Sequence, residues 1–184
     1  MKDTQDYKDA LELATEIHKH QLRADGKPYI NHPIRVADIL IELGRPIEEV
    51  VAGLLHDTIE DVIGDDNKAQ VTKQIEDRFG PTVLSIIHRS MKISKKEDGN
   101  RSTRVKIDFY HYMTGTFKNH NVKAADVVAN LEEGHSLPDD FRPRWVREKR
   151  MFIEGLEKLY GNYEGADFQK VLIDRAKVLI NRLL

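Results

Sequence analysis

Apolar residues recur along the chain at the three- and four-residue spacing of amphipathic helices. In the first segment they are Tyr7, Leu11, Ala14 and Ile17, opposite a charged face. Similar patterns predict further helices over residues 33–44, 47–61, on both sides of Gly80-Pro81, and over 101–117, 120–132, 139–160 and 166–183. Strand-like alternation over five or more residues is absent. The pattern predicts an all-α bundle of about eight to nine helices, forming a single domain over residues 1–184, with a looser lysine-rich stretch near 92–100.

Composition narrows the class of protein. The 29 Lys and Arg residues nearly balance the 31 Asp and Glu residues, so a general nucleic-acid binder is not expected. The absence of cysteine excludes disulfides, thiolate metal sites and a cysteine nucleophile, so any metal would need nitrogen and oxygen ligands. No apolar run approaches the length of a membrane span, and the N-terminus has no signal-peptide pattern. We therefore expect a soluble, cytoplasmic protein with no membrane partner.

Charge is unevenly distributed along the middle of the chain. Residues 47–67 hold seven acidic and no Lys or Arg side chains, whereas residues 89–106 hold seven Lys or Arg and two acidic ones. An acidic segment suits a divalent cation, and a basic segment suits phosphate. Solvated helix faces are the simpler explanation for most of these side chains. Arg101 and Arg104, three residues apart on one predicted helix, are the best phosphate candidates.

The string HDTIED at residues 56–61 carries the candidate chemistry. On one continuous helix, Glu60 would lie four residues after His56, and Asp61 four residues after Asp57. The three carboxylates would then crowd one face and repel one another unless a cation lies nearby. The string therefore indicates a divalent metal site at the end of an apolar helix.

Two ligands, His56 and Asp57, are too few for a stable metal site, so others must come from elsewhere. His32, between a tight turn and a predicted helix start, is one candidate. Asp126, an acid within an apolar helical stretch, is another, because a buried acid needs a partner. A plain ion pair between Asp126 and Lys123 is an equal alternative.

Four segments in this order resemble a known family. They are HQLRADGKPYINHP at 20–33, LLHDTIED at 54–61, FG at 79–80, and VKAAD at 122–126 with Asn130. The order His, His-Asp, Asp resembles the HD-domain metal phosphohydrolases, which are all-helical. The four segments together resemble the RelA/SpoT-type alarmone hydrolases over about residues 8–131. Because the long bifunctional enzymes continue into a synthetase domain, the resemblance implies a stand-alone small alarmone hydrolase.

The resemblance also implies a reaction and a role for each matching residue. The reaction is hydrolysis of the 3′-pyrophosphate of ppGpp or pppGpp, giving GDP or GTP plus pyrophosphate. One Mn²⁺ would be held by His32, His56, Asp57 and Asp126. Glu60 and Asp61 would be the catalytic pair. Arg23 would pack on the nucleobase, and Asn130 would contact the nucleoside.

Departures from the family pattern leave the substrate open. Ala24 stands where the family often has Lys or Arg, and residues 89–96 replace an expected Thr-Asp-Asp segment. The alternatives are removal of a different phosphate, such as the 2′-phosphate of NADPH or the pyrophosphate of an adenine alarmone, and a non-catalytic alarmone-binding module. The presence of both Glu60 and Asp61 argues against the binding module, because a protein that only binds alarmone does not need a catalytic pair. His18 and His20 are expected to be rim residues of the first helix rather than ligands.

Overall fold

A computed structural model describes residues 1–184 and contains nine α-helices, two short 3₁₀ segments and no β-sheet. The α-helices are α1 (Gln5–His18), α2 (Asn31–Glu42), α3 (Ile47–Leu55), α4 (Thr58–Asp61), α5 (Asp65–Ser90), α6 (Arg101–Met113), α7 (Phe117–Glu132), α8 (Arg142–Tyr160) and α9 (Asp167–Leu183). The 3₁₀ segments are Lys96–Asp98 and Gly134–Ser136. The predicted all-α class and number of helices are therefore confirmed. None of the helices combines the length and the apolar character needed to cross a membrane.

The chain divides into two compact units, Met1–Met91 and Lys92–Leu184. In the first unit, α3 is buried along its whole length from Glu49 onward and packs against α1, α2 and α5. Gly53 permits the close approach of α2, because a Cβ there would lie only 2.8 Å from Leu40 Cδ1. The second half of α2 thereby packs closely on α3. The expectation of one domain over residues 1–184 stays a prediction.

The second unit is built around α7, which packs against α6, α8 and α9. Its apolar positions are all buried from Val122 to Leu131, but it also buries several polar side chains. One of them is bonded to a neighbouring helix, because Gln169 of α9 donates a hydrogen bond of 2.7 Å to Asn121 Oδ1. The helix is therefore a core element that carries polar side chains at fixed positions.

The predicted helix over residues 47–61 is wrong in one respect, because the structure divides it. The first part, α3, ends at Leu55, and the short helix α4 begins at Thr58. Two side chains form hydrogen bonds with backbone carbonyls near the break. His56 Nδ1 contacts the Gly53 carbonyl at 2.8 Å, and Thr58 Oγ1 donates to the Leu55 carbonyl at 2.7 Å. Such local side-chain bonds compete with the helical ladder. The acidic string consequently spans a helix break rather than one helical face.

Other predicted boundaries differ by a few residues. The separation expected at Gly80-Pro81 is confirmed as a kink within α5, where Gly80 adopts φ 82° and ψ 169°, a left-handed backbone that favours glycine. The helix predicted over 101–117 ends at Met113, and the next begins at Phe117. The lysine-rich stretch near 92–100 is largely irregular, as predicted, apart from one 3₁₀ turn.

Candidate metal centre

Three side chains from the ends of α2 and α3 converge in the first unit. His32 lies in the first turn of α2, while His56 and Asp57 follow directly after α3. One ligand atom from each residue lies within 4.8 Å of the other two, and both imidazoles are buried. The structure therefore brings together three of the four ligands predicted from the sequence, in a group that could hold a metal ion.

The orientation of His56 suits metal binding. Its Nδ1 lies 2.8 Å from the Gly53 carbonyl oxygen, which can only accept, so this nitrogen carries the proton. Nε2 is then the unprotonated nitrogen, and Asp57 Oδ2 lies 3.0 Å from it. Two acceptor atoms this close repel one another unless a cation binds between them or a proton is shared. The donor set and its arrangement thus fit a divalent metal.

Tyr29 supports the same group from the turn that precedes α2. Its hydroxyl donates a hydrogen bond of 2.6 Å to Asp57 Oδ2. Its ring packs edge-on to His32, with the ring centroids 6.0 Å apart. The guanidinium of Arg23 lies 5.5 Å from the centre of the same ring. The ring of Tyr29 therefore lies between Arg23, the residue predicted to pack on a nucleobase, and the candidate ligand His32. The sequence pattern did not indicate this role of Tyr29.

His18 also belongs to this region, so its assignment to the rim is wrong. Only 2% of the residue is exposed. Its Nδ1 lies 2.7 Å from Gln21 Oε1 and 3.6 Å from Asp61 Oδ2, while its buried Nε2 has no hydrogen-bond partner. Burial lowers the pKa of His18 below its ordinary value. The sequence held a signal for this, because His18 continues the buried spacing of Tyr7 and Ala14.

The predicted catalytic pair, Glu60 and Asp61, lies on α4, and both side chains are half-buried. The backbone N–H of Asp61 donates to the Asp57 carbonyl at 2.9 Å, so the short helix is tied directly to the candidate ligand. The two acids thus follow the metal group within one turn of chain, and Asp61 lies beside the buried His18.

Asp126 and Asn130 lie one helical turn apart on α7, in the second unit. Lys123 Nζ contacts Asp126 Oδ2 at 2.9 Å, so the ion pair that the sequence offers as an alternative is present. The Asn130 side-chain amide donates to both the carboxylate and the carbonyl oxygen of Asp126. The structure therefore supplies partners for this buried acid, and its role as a metal ligand stays a prediction.

The two candidate phosphate-binding arginines on α6 differ in their surroundings. Arg101 forms a two-point ion pair with Glu148, with both N–O distances at 2.6 Å, and this partner raises the pKa of the guanidinium. Arg104 has a buried Nε with no hydrogen-bond partner. An anion could therefore bind Arg104 without displacing a carboxylate, whereas it would compete with Glu148 for Arg101.

Comparison with known proteins identifies the family. Residues 10–151 match the model of the HD domain. A protein of Haemophilus influenzae named guanosine-3′,5′-bis(diphosphate) 3′-pyrophosphohydrolase is 30% identical over 176 residues, covering 91% of this chain and 25% of the relative. A chloroplastic relative from Oryza sativa, named RSH1, is 36% identical over 166 residues, covering 84% of this chain and 18% of the relative.

These two relatives are much longer than this chain, which spans about a fifth to a quarter of their length. A solved structure, described as a metazoan ortholog of SpoT that hydrolyses ppGpp, matches with a TM-score of 0.76 at 19% identity and covers 98% of both chains. At that identity the match confirms the fold. With three quarters of its length matched by the family model, the chain belongs to the HD domain family.

Proposed function

We propose that this protein is a metal-dependent phosphohydrolase that removes the 3′-pyrophosphate of ppGpp or pppGpp. The observation that carries the proposal is the group of His32, His56 and Asp57, followed within one turn by the acids of α4. Such a group combines metal ligands with proton-transferring carboxylates, which is what phosphate-ester hydrolysis at neutral pH requires. The name of the Haemophilus influenzae relative supports the choice of this substrate.

The ion in this proposal is Mn²⁺, held by His32, His56, Asp57 and Asp126. Two imidazoles and two carboxylates with no thiolate favour Mn²⁺ or Fe²⁺ over a closed structural zinc site. When bound, the ion would lower the pKa of a coordinated water and neutralise phosphate oxygens. Tyr29 would fix the Asp57 carboxylate, and the Gly53 carbonyl would fix the His56 ring.

The proton transfers are assigned to Glu60 and Asp61. The hydroxyl of water would bond to the phosphorus attached to the ribose 3′ oxygen, and the bond between that oxygen and phosphorus would break. One of the two carboxylates would take the proton of the water, and that proton would return to the 3′ oxygen. The products are then GDP or GTP with a free 3′ hydroxyl, and pyrophosphate.

The nucleotide would be recognised by residues that the resemblance and the charge pattern indicate. Arg23, already packed on the ring of Tyr29, would extend that stack onto a purine. Asn130 would contact the nucleoside. Arg104, with its buried and unpartnered Nε, would bind the 5′ phosphates, with Arg101 as the second cation.

We also propose that residues 1–184 act as one phosphohydrolase domain. The support is the family model, which covers residues 10–151 and so includes residues of both compact units. The four predicted metal ligands come from residues 32 to 126, within this range. The predicted cytoplasmic location stays part of the same proposal.

The decisive experiment is turnover of ppGpp by the purified chain with added Mn²⁺, followed by chromatography of GDP and pyrophosphate. NADPH and an adenine alarmone serve as competing substrates for the two alternative phosphatase activities. The double variant Glu60→Gln/Asp61→Asn is the matched control. Preferential, Mn²⁺-dependent release of pyrophosphate from ppGpp supports the proposal. Preferential release of phosphate from NADPH would show that NADPH, not ppGpp, is the substrate. Binding of ppGpp without turnover would show that the protein is a non-catalytic alarmone-binding module.

A further inference from the structure

Lys123 places a positive charge inside the second unit, on the core helix α7. Only 8% of the residue is exposed, so its ammonium group is largely shielded from water. A buried ammonium needs partners that replace its hydration. Its partners include the carboxylate of Asp126, three residues later on α7, and the ring of Tyr112 on α6. The charge of Lys123 is therefore balanced by protein groups rather than by solvent.

The two oxygens of the Asp126 carboxylate have different kinds of partner. Lys123 Nζ lies 2.9 Å from Oδ2, whereas the neutral side-chain amide of Asn130 donates to Oδ1. Of these two partners, only Lys123 offsets the negative charge. A divalent ion bound at this carboxylate would repel the ammonium group, because both are cations in a poorly hydrated place. Lys123 and a metal ion therefore compete for the charge of Asp126.

The ring of Tyr112 offers the ammonium group a second position. Lys123 Nζ lies 4.6 Å from the ring centre, within the range of about 6 Å over which a cation is attracted to an aromatic face. The ring is nearly buried, and His120 Nε2 contacts the carbonyl of the same residue at 2.9 Å. The lysine stem is flexible, so rotation of its last bonds moves Nζ away from Oδ2 while it stays over the ring. The ammonium group therefore need not return to solvent when it leaves Asp126.

We propose that Lys123 is an internal competitor of the metal ion at Asp126. Its ammonium group balances the carboxylate when no ion is bound, and moves fully onto the Tyr112 ring when an ion binds. The proposal rests on the assignment of Asp126 as a ligand in the proposed function, but not on the substrate or the reaction. It implies that Lys123 weakens metal binding and makes the stability of the chain less dependent on the ion.

Competition of the full chain with a metal-sensitive dye for Mn²⁺ tests the first consequence. Lys123→Met keeps the length of the side chain and removes its charge, so we expect an affinity for Mn²⁺ roughly 10-fold higher or more. Lys123→Gln can still donate a neutral hydrogen bond to Asp126, and should show a rise in the same direction. Lys118→Met is the matched control, because it removes the same charge from the same helix. Its affinity should equal that of the unchanged chain.

Thermal unfolding in chelator and in Mn²⁺ tests the second consequence. Without Lys123, the carboxylate of Asp126 is buried without this cation, so Lys123→Met should melt at a lower temperature than the unchanged chain in chelator. The bound ion replaces the missing cation, so Mn²⁺ should raise this melting temperature more than that of the unchanged chain. The double variant Lys123→Met/Asp126→Asn should lose this additional gain.

An equal or lower affinity for Mn²⁺ in both Lys123 variants would overturn the proposal, because Lys123 would then not compete with the ion. An equal rise in Lys118→Met would also overturn it, since the effect would be general electrostatics. The affinity of Asp126→Asn shows which assumption has failed. If Asp126→Asn also binds Mn²⁺ normally, the ligand assignment in the proposed function is wrong, whereas if it binds weakly, only the competition is wrong. None of these measurements uses a nucleotide, so a chain that does not hydrolyse ppGpp would not change their outcome.

Discussion

The hydroxyl of Tyr29 donates a hydrogen bond of 2.6 Å to the carboxylate of Asp57. This bond connects the turn before α2 to the break after α3. His32 follows that turn in the first turn of α2, and the break itself holds His56 and Asp57. A carboxylate held by a second residue keeps its orientation before a metal binds, which reduces the cost of ordering it. The same ring packs on His18 and under Arg23, so one side chain links the candidate metal group to the predicted nucleobase contact.

The first prediction concerns this hydrogen bond. Tyr29→Phe keeps the ring but removes the hydroxyl, so we expect roughly 10- to 100-fold weaker divalent-metal binding with little change in melting temperature. Competition with a metal-sensitive dye measures the affinity. Tyr110→Phe is the control, because Tyr110 is an exposed tyrosine of α6. An unchanged affinity in Tyr29→Phe would show that the bond has no role in holding metal.

The second prediction separates a proposed ligand from a structural acid. Asp126→Asn should lower the bound metal per chain, whereas Asp108→Asn should not. Asp108 instead accepts hydrogen bonds from the backbone of Ile93 and Ser94, and from the Ser94 hydroxyl. Its replacement should therefore cost roughly 1–3 kcal/mol, or about 2–10 °C in melting temperature. Metal analysis and thermal unfolding of both variants check this, and equal metal loss in both would contradict the ligand assignment.

The helices were predictable from the sequence because apolar spacing reports which face of a helix is buried. Apolar spacing does not show where side chains compete with the helical backbone for hydrogen bonds to carbonyl groups. At the break between α3 and α4, the side chains of His56 and Thr58 bond to nearby backbone carbonyls. The sequence of this segment is also compatible with one continuous helix, so the break could not be predicted from it. His18 shows the opposite case. The apolar spacing of α1 puts His18 on the buried face of the helix. It was nevertheless predicted at the rim, because histidines more often lie at the surface.

The site shows a similar division. The His-Asp dipeptide and its acidic neighbours indicated a metal site, and the structure brings His32 close to His56 and Asp57. Tyr29 was missed because a tyrosine in a turn has no distinguishing spacing. The engagement of Arg101 by Glu148 joins residues 47 positions apart, which no local pattern could indicate.

The third prediction separates catalysis from metal binding. Because Glu60 and Asp61 are proposed to move protons, Glu60→Gln/Asp61→Asn should reduce turnover by roughly 10²-fold or more. Metal content and melting temperature should stay nearly unchanged. Steady-state kinetics and metal analysis of the same preparation measure both quantities. Loss of the metal in the double variant would make these residues ligands instead.

The fourth prediction concerns pH and stability. Burial lowers the pKa of His120, whose Nε2 contacts the Tyr112 carbonyl at 2.9 Å and whose Nδ1 accepts from the Tyr160 hydroxyl at 2.6 Å. Below the ordinary pKa of 6.5, the unfolded chain binds a proton that the folded chain resists. The free energy of unfolding should therefore fall as the pH decreases from 6.5 toward the lowered pKa. His120→Gln should be less stable at pH 7.5 but lose less on acidification, as measured by denaturant unfolding at pH 7.5 and 5.5. Equal losses in both proteins would contradict this assignment.

The last prediction tests how the nucleotide is recognised. A charge-assisted contact to phosphate contributes about 1.5–3 kcal/mol, so Arg104→Ala should raise the KM for ppGpp roughly 10-fold or more. Stacking does not distinguish 5′ phosphates, so Arg23→Ala should weaken binding of every purine nucleotide. We therefore expect Arg104→Ala to act selectively on 5′-phosphorylated substrates and Arg23→Ala to act on all of them. Arg101→Ala adds a further comparison, because removing it also frees Glu148, a carboxylate that would repel phosphate. Kinetics on analogues with and without 5′ phosphates measure these effects, and equal losses on both substrates would remove Arg104 from the nucleotide site.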